Sequence, residues 1–261
     1  MTAQNYYAGR RQRRRREVDV ALMLELVRAE RREQPRLGGR KVYHLIGPQL
    51  KKAGVKMGRD RVFEELKKAG LLVPRKPPQW PKTTQFNENL PVFKNLLKGR
   101  QVTKPNEVWV ADITYIRTEE GFVYLALVTD QWSRKIVGFH LGQSLEVEVA
   151  LRALNLGLKS LKAKEKPIHH SDRGCQYASH AFVQRVKQAG LRMSMTEKDH
   201  CAENAMAERV NGILKGEYWL DANFPTRAMA QQACTQAIGL YNTRRPHSAL
   251  AMKTPEQVHQ A

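Results

Sequence analysis

The stretch Trp109-Val110-Ala111-Asp112-Ile113-Thr114-Tyr115-Ile116 sets one acid in the middle of a run of β-branched and aromatic residues. Such residues favour a strand, and apolar neighbours on both sides of the pleat mark a strand covered on both faces. A carboxylate in that setting is unfavourable unless it meets an opposite charge or a cation. The stretch therefore predicts a covered sheet whose first strand carries chemistry at Asp112.

Reading outward, strand-like runs cover Val108–Ile116, Phe122–Thr129 and Lys135–Leu141. The separators, Glu119-Glu120-Gly121 and Asp130–Arg134, are so short that the three runs must form an antiparallel meander. Helical spacing follows over Leu145–Leu161, then a short strand at Ile168–Ser171, a helix at Ser179–Ala189 and a strand at Leu191–Met195. Helices over Asn204–Trp219 and Arg227–Thr243 complete an α/β pattern.

Two further acids fall at informative places. Asp172, in His169-His170-Ser171-Asp172-Arg173-Gly174, directly follows a short strand, where sheet side chains emerge at a crevice. Glu208 lies on a helix whose Asn204, Glu208, Asn211 and Lys215 form one polar ridge, with Met206, Val210, Ile213 and Leu214 on the apolar side. Three converging carboxylates repel one another at neutral pH, and hard divalent cations remove that cost. The same ions can activate a hydroxyl and stabilise a leaving oxygen in phosphodiester chemistry. Singly, each acid has a plainer role: Asp112 paired with a lysine, Asp172 capping a turn, Glu208 on a helix surface.

The charge is uneven. The chain carries 45 Lys+Arg against 25 Asp+Glu, a net +20; residues 1–105 hold 26 against 9 and the remainder 19 against 16. An excess concentrated in the first part is the footprint of a polyanionic partner. Residues 10–16 form a block that includes Arg13, Arg14, Arg15 and Arg16, suited to a helical extension or a flexible arm on phosphate. A helix is predicted from Glu17 to about Arg32 with Leu22, Leu26 and Ala29 on one face. Two more cover Gly39–Lys52 and Arg59–Ala69. The pair forms a helix-turn-helix candidate, with Arg59, Arg61, Lys67 and Lys68 on the second helix, where such modules meet the major groove; a plain helical subdomain is the alternative. Residues 74–105 are proline-rich and read as a linker. Three scattered cysteines argue against a disulfide framework, and the histidines near Cys175 fit no zinc spacing. No apolar run is long enough to span a membrane, so a reducing cytoplasm is expected, with the nucleoid accessible.

Taken together these motifs resemble the DDE transposases of the bacterial IS-three insertion-sequence family, relatives of retroviral integrases. The resemblance runs from about residue 17 to Gln260. It is carried by Lys104-Pro105-Asn106, Asp112-Ile113-Thr114-Tyr115-Ile116, Ser133-Arg134-Lys135-Ile136-Val137-Gly138, His169-His170-Ser171-Asp172-Arg173-Gly174 and Tyr241-Asn242-Thr243-Arg244-Arg245-Pro246-His247. The interval between Asp172 and Glu208, residues 173–207, also matches. The resemblance implies a ribonuclease-H-like core, a mixed five-stranded sheet with flanking helices, at 106–225. A basic arm and helix (1–35), a helix-turn-helix module (36–73) and the linker (74–105) precede it, and a C-terminal helix and tail (226–261) follow. It implies Asp112, Asp172 and Glu208 as ligands of two Mg²⁺ ions, with Mn²⁺ as a substitute. It also implies double-stranded DNA as partner, both the element's terminal inverted repeats and the target. On that DNA an oligomer, at least a dimer, is expected. Such chains resemble the product of a second reading frame, often made as a frameshift fusion to a small DNA-binding protein. Glu203, where an Asp is common, Cys175, where Ser is usual, and Arg209-Val210, where aromatics are common, are departures from the pattern.

Around the acids, His170 and Asn204 are suited to orienting water or DNA, or to ordinary core hydrogen bonding. Arg173, Lys215 and Arg245 are candidate DNA contacts, Arg173 also suiting an ion pair; Tyr241, Asn242, Arg245 and His247 equally suit a terminal segment held by hydrogen bonds. Asp130 is expected in a turn, and Trp109, Tyr115, Phe122 and Tyr124 in the core. Two rival functions share these features: a nuclease that cuts RNA–DNA hybrids without joining, and a silent DNA-binding regulator.

Overall fold

The structure, a computed structural model, describes residues 3–74, 90–197 and 203–261, in two compact units that divide at Pro77 and Pro78. Most of the expected linker, 75–89, lies outside the described residues.

The first unit holds α1 (Ala3–Glu33), α2 (Gly39–Lys52) and α3 (Arg59–Lys68). The arginine block is thus a helical extension of α1, exposed throughout at Arg13, Arg14, Arg15 and Arg16. Arginine's straight side chain has good helix propensity, and solvent exposure limits the mutual repulsion. The buried stripe of α1 is turned slightly from the expected one. Met23, Val27 and Glu30 are buried, Leu22 and Leu26 flank them, and Ala29 faces solvent. Val42, Ile46, Leu50, Val62 and Leu66 close the small core with them. Gly54 ends α2 at φ 71°, donating to the Lys51 carbonyl while Val55 donates to Leu50, a termination that needs a left-handed residue.

The second unit is built on a mixed sheet in the order β3-β2-β1-β4-β5, from β1 (Val108–Thr118), β2 (Val123–Asp130), β3 (Ile136–Gly142), β4 (Ile168–Ser171) and β5 (Arg192–Met195). The first three form the expected meander, and β4 and β5 join in parallel. On one face, α4 (Val147–Leu158), α5 (Cys175–Ala178) and α6 (His180–Gln188) bury Trp109, Ala111, Ala126 and Val128. On the other, α7 (Ala205–Glu217) and α8 (Arg227–Thr243) bury Ile116, Leu125, Leu127 and Ile136. Alternation along β1 thus sends odd positions to α4 and α6, even ones to α7 and α8.

Several details depart from expectation. No periodic pattern announces α5, a single turn, the two-residue β6 (Asn223–Phe224) beside β1, or α9 (Pro255–His259), although Thr254-Pro255-Glu256-Gln257 forms a capping box at the start of α9. All are too short for periodicity to register. Phe122, expected in the core, is 53% exposed, because β2 starts one residue later and leaves it edge-on against Tyr115. Residues 90–105 have no regular structure yet pack on the sheet, with Leu96, Leu97 and Val102 against Val108, Val110 and Ile168.

Candidate active site

Strand register brings the first two acids level. β1 pairs with β4 in parallel, with Val110 opposite His170. Continued by two residues, the same register sets Asp172, just past the end of β4, beside Asp112. Both inherit the parity of Val108, Val110 and Ile168, which pack against Ala207 of α7. The third acid comes from that helix. Asn204, at its N-cap, donates to the Ala111 carbonyl at 3.2 Å, and Asn211 donates to Asp112 Oδ2 at 2.9 Å. Glu208 lies on the exposed stretch between them, about one turn from each. The polar ridge therefore faces β1, and Asn204 and Asn211 are buried. Met206, assigned to the apolar side, is only half-buried, and Ala207 takes the packing position.

Asp112 is densely surrounded, although part of the residue stays open to solvent. Its Oδ1 accepts the Ile113 N–H at 2.9 Å. Burial, and then the charge of Asp172, push its carboxyl up to about 7; the bonds from Asn211 and Ile113 oppose the shift, and Glu208 adds to it. Asp172 Oδ1 accepts the Gly174 N–H at 3.0 Å. A Cβ on Gly174 would itself stand 3.0 Å from that oxygen, so a side chain here would press the acid out of place by a few tenths of an ångström.

The three acids are electrostatic neighbours. Among the described residues no group of three or more His, Cys, Asp or Glu side chains forms a ready-made metal cage. The donor set is carboxylate oxygen, with Asp112 raised by burial and then by the charge of Asp172, and it suits a hard divalent cation and not zinc.

The neighbouring histidines serve the core. His170 Nδ1 lies 2.9 Å from Ser194 Oγ, and burial lowers its pKa. His169 is fully buried among Tyr177 and Phe182, and burial pushes it down to about 3, so it is a neutral ring at physiological pH. Asp130 takes the expected turn role, accepting the Ser133 N–H and hydroxyl and the Asn106 N–H.

The expected DNA contacts separate into two groups. Arg59, Lys67 and Lys68 on α3 are exposed and Arg61 half-buried, Arg59 pairing with Asp60 and Lys68 with Glu65. Arg173 donates to the Thr196 carbonyl, and Lys215 is half-buried with Nζ 4.1 Å from the Tyr115 ring centre. Arg245 takes the second of its two expected roles, in a terminal segment held by hydrogen bonds, and not the DNA contact. It is 2% exposed, and its guanidinium forks onto both Glu217 oxygens at 2.8 Å, so it holds the C-terminal segment and presents nothing to DNA. Asn242 likewise bonds the Ile136 N–H and carbonyl. Sequence reasoning placed Asn211 on the ridge without a role; its spacing from Glu208 was the available signal. Gly174, Glu217 and Asn95 carried none.

Residues 102–201 and 189–255 match two families, both described as integrase core domain. The chain is 36% identical over 252 residues to an uncharacterised 31 kDa protein of insertion element IS600 from Shigella sonnei, covering 94% of this chain and 91% of that protein. It is 32% identical to the transposase for IS629, also from Shigella sonnei, over 86% of this chain and 74% of that one. It is 37% identical to transposase InsF for IS3A of Escherichia coli K12, over 64% of this chain and 59% of InsF. Among solved structures, a simian T-cell lymphotropic virus intasome chain matches with a TM-score of 0.53 at 19% identity, covering 86% of this chain and 75% of that one, a likeness of fold. With a mixed sheet whose interior strands β1 and β4 position the first two acids, and with these relatives matched over most of its length, the chain belongs to the IS3-family DDE transposases, polynucleotidyl transferases of DNA transposition.

Proposed function

We propose that Asp112, Asp172 and Glu208 hold two Mg²⁺ ions, replaceable by Mn²⁺, and that this chain cuts the ends of its insertion element and joins them to target DNA. The observation that carries this is the parallel pairing of β1 and β4 up to Val110 and His170, two residues short of the acids, together with the Asp112 carboxyl raised by burial and then by the charge of Asp172. Bound between these carboxylates, the ions would supply Lewis-acid activation of the attacking hydroxyl and offset charge on the leaving oxygen. Asn211 and the Ile113 N–H orient the Asp112 carboxylate, and Gly174 orients Asp172. The Tyr177 hydroxyl is buried with its pKa raised well above the usual value, by burial and then by Asp112 and Asp172, which opposes its use as a nucleophile. Water, and then the freed DNA 3′-hydroxyl, are the nucleophiles in two in-line phosphoryl transfers.

Residues 36–73 read as a helix-turn-helix that sets α3 in a major groove through Arg59, Arg61, Lys67 and Lys68, while Arg13, Arg14, Arg15 and Arg16 follow phosphates. Arg173 and Lys215 contact DNA nearer the acids. Synapsis of two element ends calls for at least a dimer, and association or fusion with the upstream-frame protein fits the family. Acting on chromosomal DNA, the chain would work in the cytoplasm at the nucleoid.

The test is joining of a labelled duplex carrying the inverted repeat that flanks the gene, in Mg²⁺ and in Mn²⁺. Asp112→Asn, Asp172→Asn and Glu208→Gln should each abolish joining. Full activity in any one removes that residue from the site, and cleavage of an RNA–DNA hybrid without joining favours a nuclease.

A further inference from the structure

The segment that leads from the linker into the second unit bonds directly to the chain that carries Glu208. Asn95 is buried, and its side chain is used at both ends: Oδ1 accepts the Leu97 N–H at 2.9 Å, and Nδ2 donates to Glu203 Oε2 at 2.9 Å. The same Glu203 oxygen accepts the Glu197 N–H just beyond β5. Glu197 in turn accepts the Asn95 N–H at 3.2 Å and pairs with Lys98, and Leu96 N–H donates to Ser194 Oγ at 2.9 Å. Glu203 directly precedes Asn204, the residue that caps α7 and bonds β1 at Ala111. One turn on, the Glu208 N–H donates to the Asn204 carbonyl at 3.3 Å.

A hydrogen-bonded path thus runs from Asn95 through Glu203 and Asn204 into the first turn of α7. We propose that Glu203, held by Asn95, is a positioning residue for Glu208, so that assembly of the active site depends on docking of the segment that enters from the linker. This role rests on Glu208 being one of the catalytic acids. The Asn95 amide and the Glu197 N–H are neutral donors that meet the same Glu203 oxygen, so an amide oxygen can serve them in place of the carboxylate. A side chain without an acceptor cannot. In Glu203→Ala the Asn95 amide and the Glu197 N–H lose their shared acceptor, which loosens the link between the entering segment and the start of α7. A small displacement of one acid is enough to slow chemistry severely.

The test uses the full chain, with the rate of joining of the flanking-repeat duplex in Mg²⁺ resolved into kcat and KM. It adds hydrogen exchange across residues 204–210 in the metal-free protein. Glu203→Ala and Asn95→Ala should each lower kcat by about tenfold or more with the KM for DNA nearly unchanged. They should also speed exchange in the first turn of α7. The double variant should be little worse than either single one, because both remove the same link. Glu203→Gln should retain most of the rate. Unchanged kcat in both alanine variants would overturn the inference, as would a Glu203→Gln variant as slow as Glu203→Ala. Glu208→Gln separates the two readings. Full joining by that variant sinks the assignment of the site. Full joining by Glu203→Ala beside an inactive Glu208→Gln sinks the positioning role alone.

Discussion

The side-chain amide of Asn211 donates to Asp112 Oδ2 at 2.9 Å, tying the middle of α7 to the middle of β1. Asn211 is three residues beyond Glu208, on the same stripe of the helix. One hydrogen bond therefore does two things: it orients the strand's acid and fixes the height of the helix that brings in the other.

Removing that donor should weaken the site without dismantling the fold. In Asn211→Ala the Asp112 carboxylate loses a bond to its charged form. We expect joining to fall, and the Mg²⁺ concentration for half-maximal rate to rise, by about tenfold or more, as is usual for residues that support metal ligands. Rates over a Mg²⁺ titration check this. An unchanged half-maximal concentration would separate Asn211 from metal binding.

The raised Asp112 pKa has a consequence for stability in the absence of metal. Its folded value, about 7, lies above the ordinary carboxylate range, so the folded chain holds a proton that the unfolded chain releases. The sign follows: this contribution is fully present at low pH and is lost as pH rises through about 7. At about pH 8, Asp112→Asn should stabilise the metal-free protein by on the order of 1–2 kcal/mol once solvent screening of a partly open group is allowed for, read out as a raised Tm. Mg²⁺ should raise the Tm of the wild type and leave that of the variant nearly unchanged. A variant less stable than the wild type at this pH would remove the proposed strain.

The legibility of this site in the sequence was uneven, for physical reasons. Asp112, Asp172 and Glu208 stood out because an acid in an apolar strand, an acid at a strand end and an acid on an amphipathic helix are each local patterns. The meander from Val108 and the helix at Arg227–Thr243 were equally visible, since alternation and helical period persist over many residues. Asn95 and Glu203 meet across more than a hundred residues, and nothing local to either announces the other. Arg245 was left with two readings for the same reason. A basic residue among others reads as a phosphate contact until Glu217, distant in sequence, is found against it.

Gly174 offers a more local test. Its N–H holds Asp172 Oδ1, and a methyl group there would stand 3.0 Å from that oxygen. The displaced atom is the end of a side chain, so Gly174→Ala should fold with a loss of stability below about 1 kcal/mol. Joining should nonetheless fall by about tenfold or more as Asp172 swings away from Asp112. Thermal melting and joining rates, measured together, check this; an active variant would show that the turn tolerates a side chain.

The arginine block is exposed along α1, so it can be changed without touching a core. Replacing Arg13, Arg14, Arg15 and Arg16 with glutamine keeps a good helix former at every position while removing charge. Binding to duplex DNA should weaken. The slope of log affinity against log salt should flatten by about 0.9 for each phosphate that is no longer neutralised. Filter binding or fluorescence anisotropy across a salt series measures it, and an unchanged slope would take the block off the DNA.

Arg245 and Glu217 should behave as a structural pair. The guanidinium is 2% exposed and bonds both carboxylate oxygens at 2.8 Å, with the Tyr241 ring centre 5.8 Å away. Arg245→Ala leaves Glu217, 20% exposed, without this partner, and a buried pair broken on one side is destabilised by roughly 3–5 kcal/mol. Some screening at Glu217 puts the expected loss toward the lower end. Lysine cannot reproduce the two-pronged geometry, so Arg245→Lys should recover only part of the loss. Glu217→Gln keeps one acceptor oxygen and should be milder than Arg245→Ala. Duplex DNA affinity and its salt slope, measured below the melting range, should match the wild type in all three variants. A well-folded Arg245→Ala protein with weakened DNA binding would return Arg245 to the DNA surface and contradict its burial.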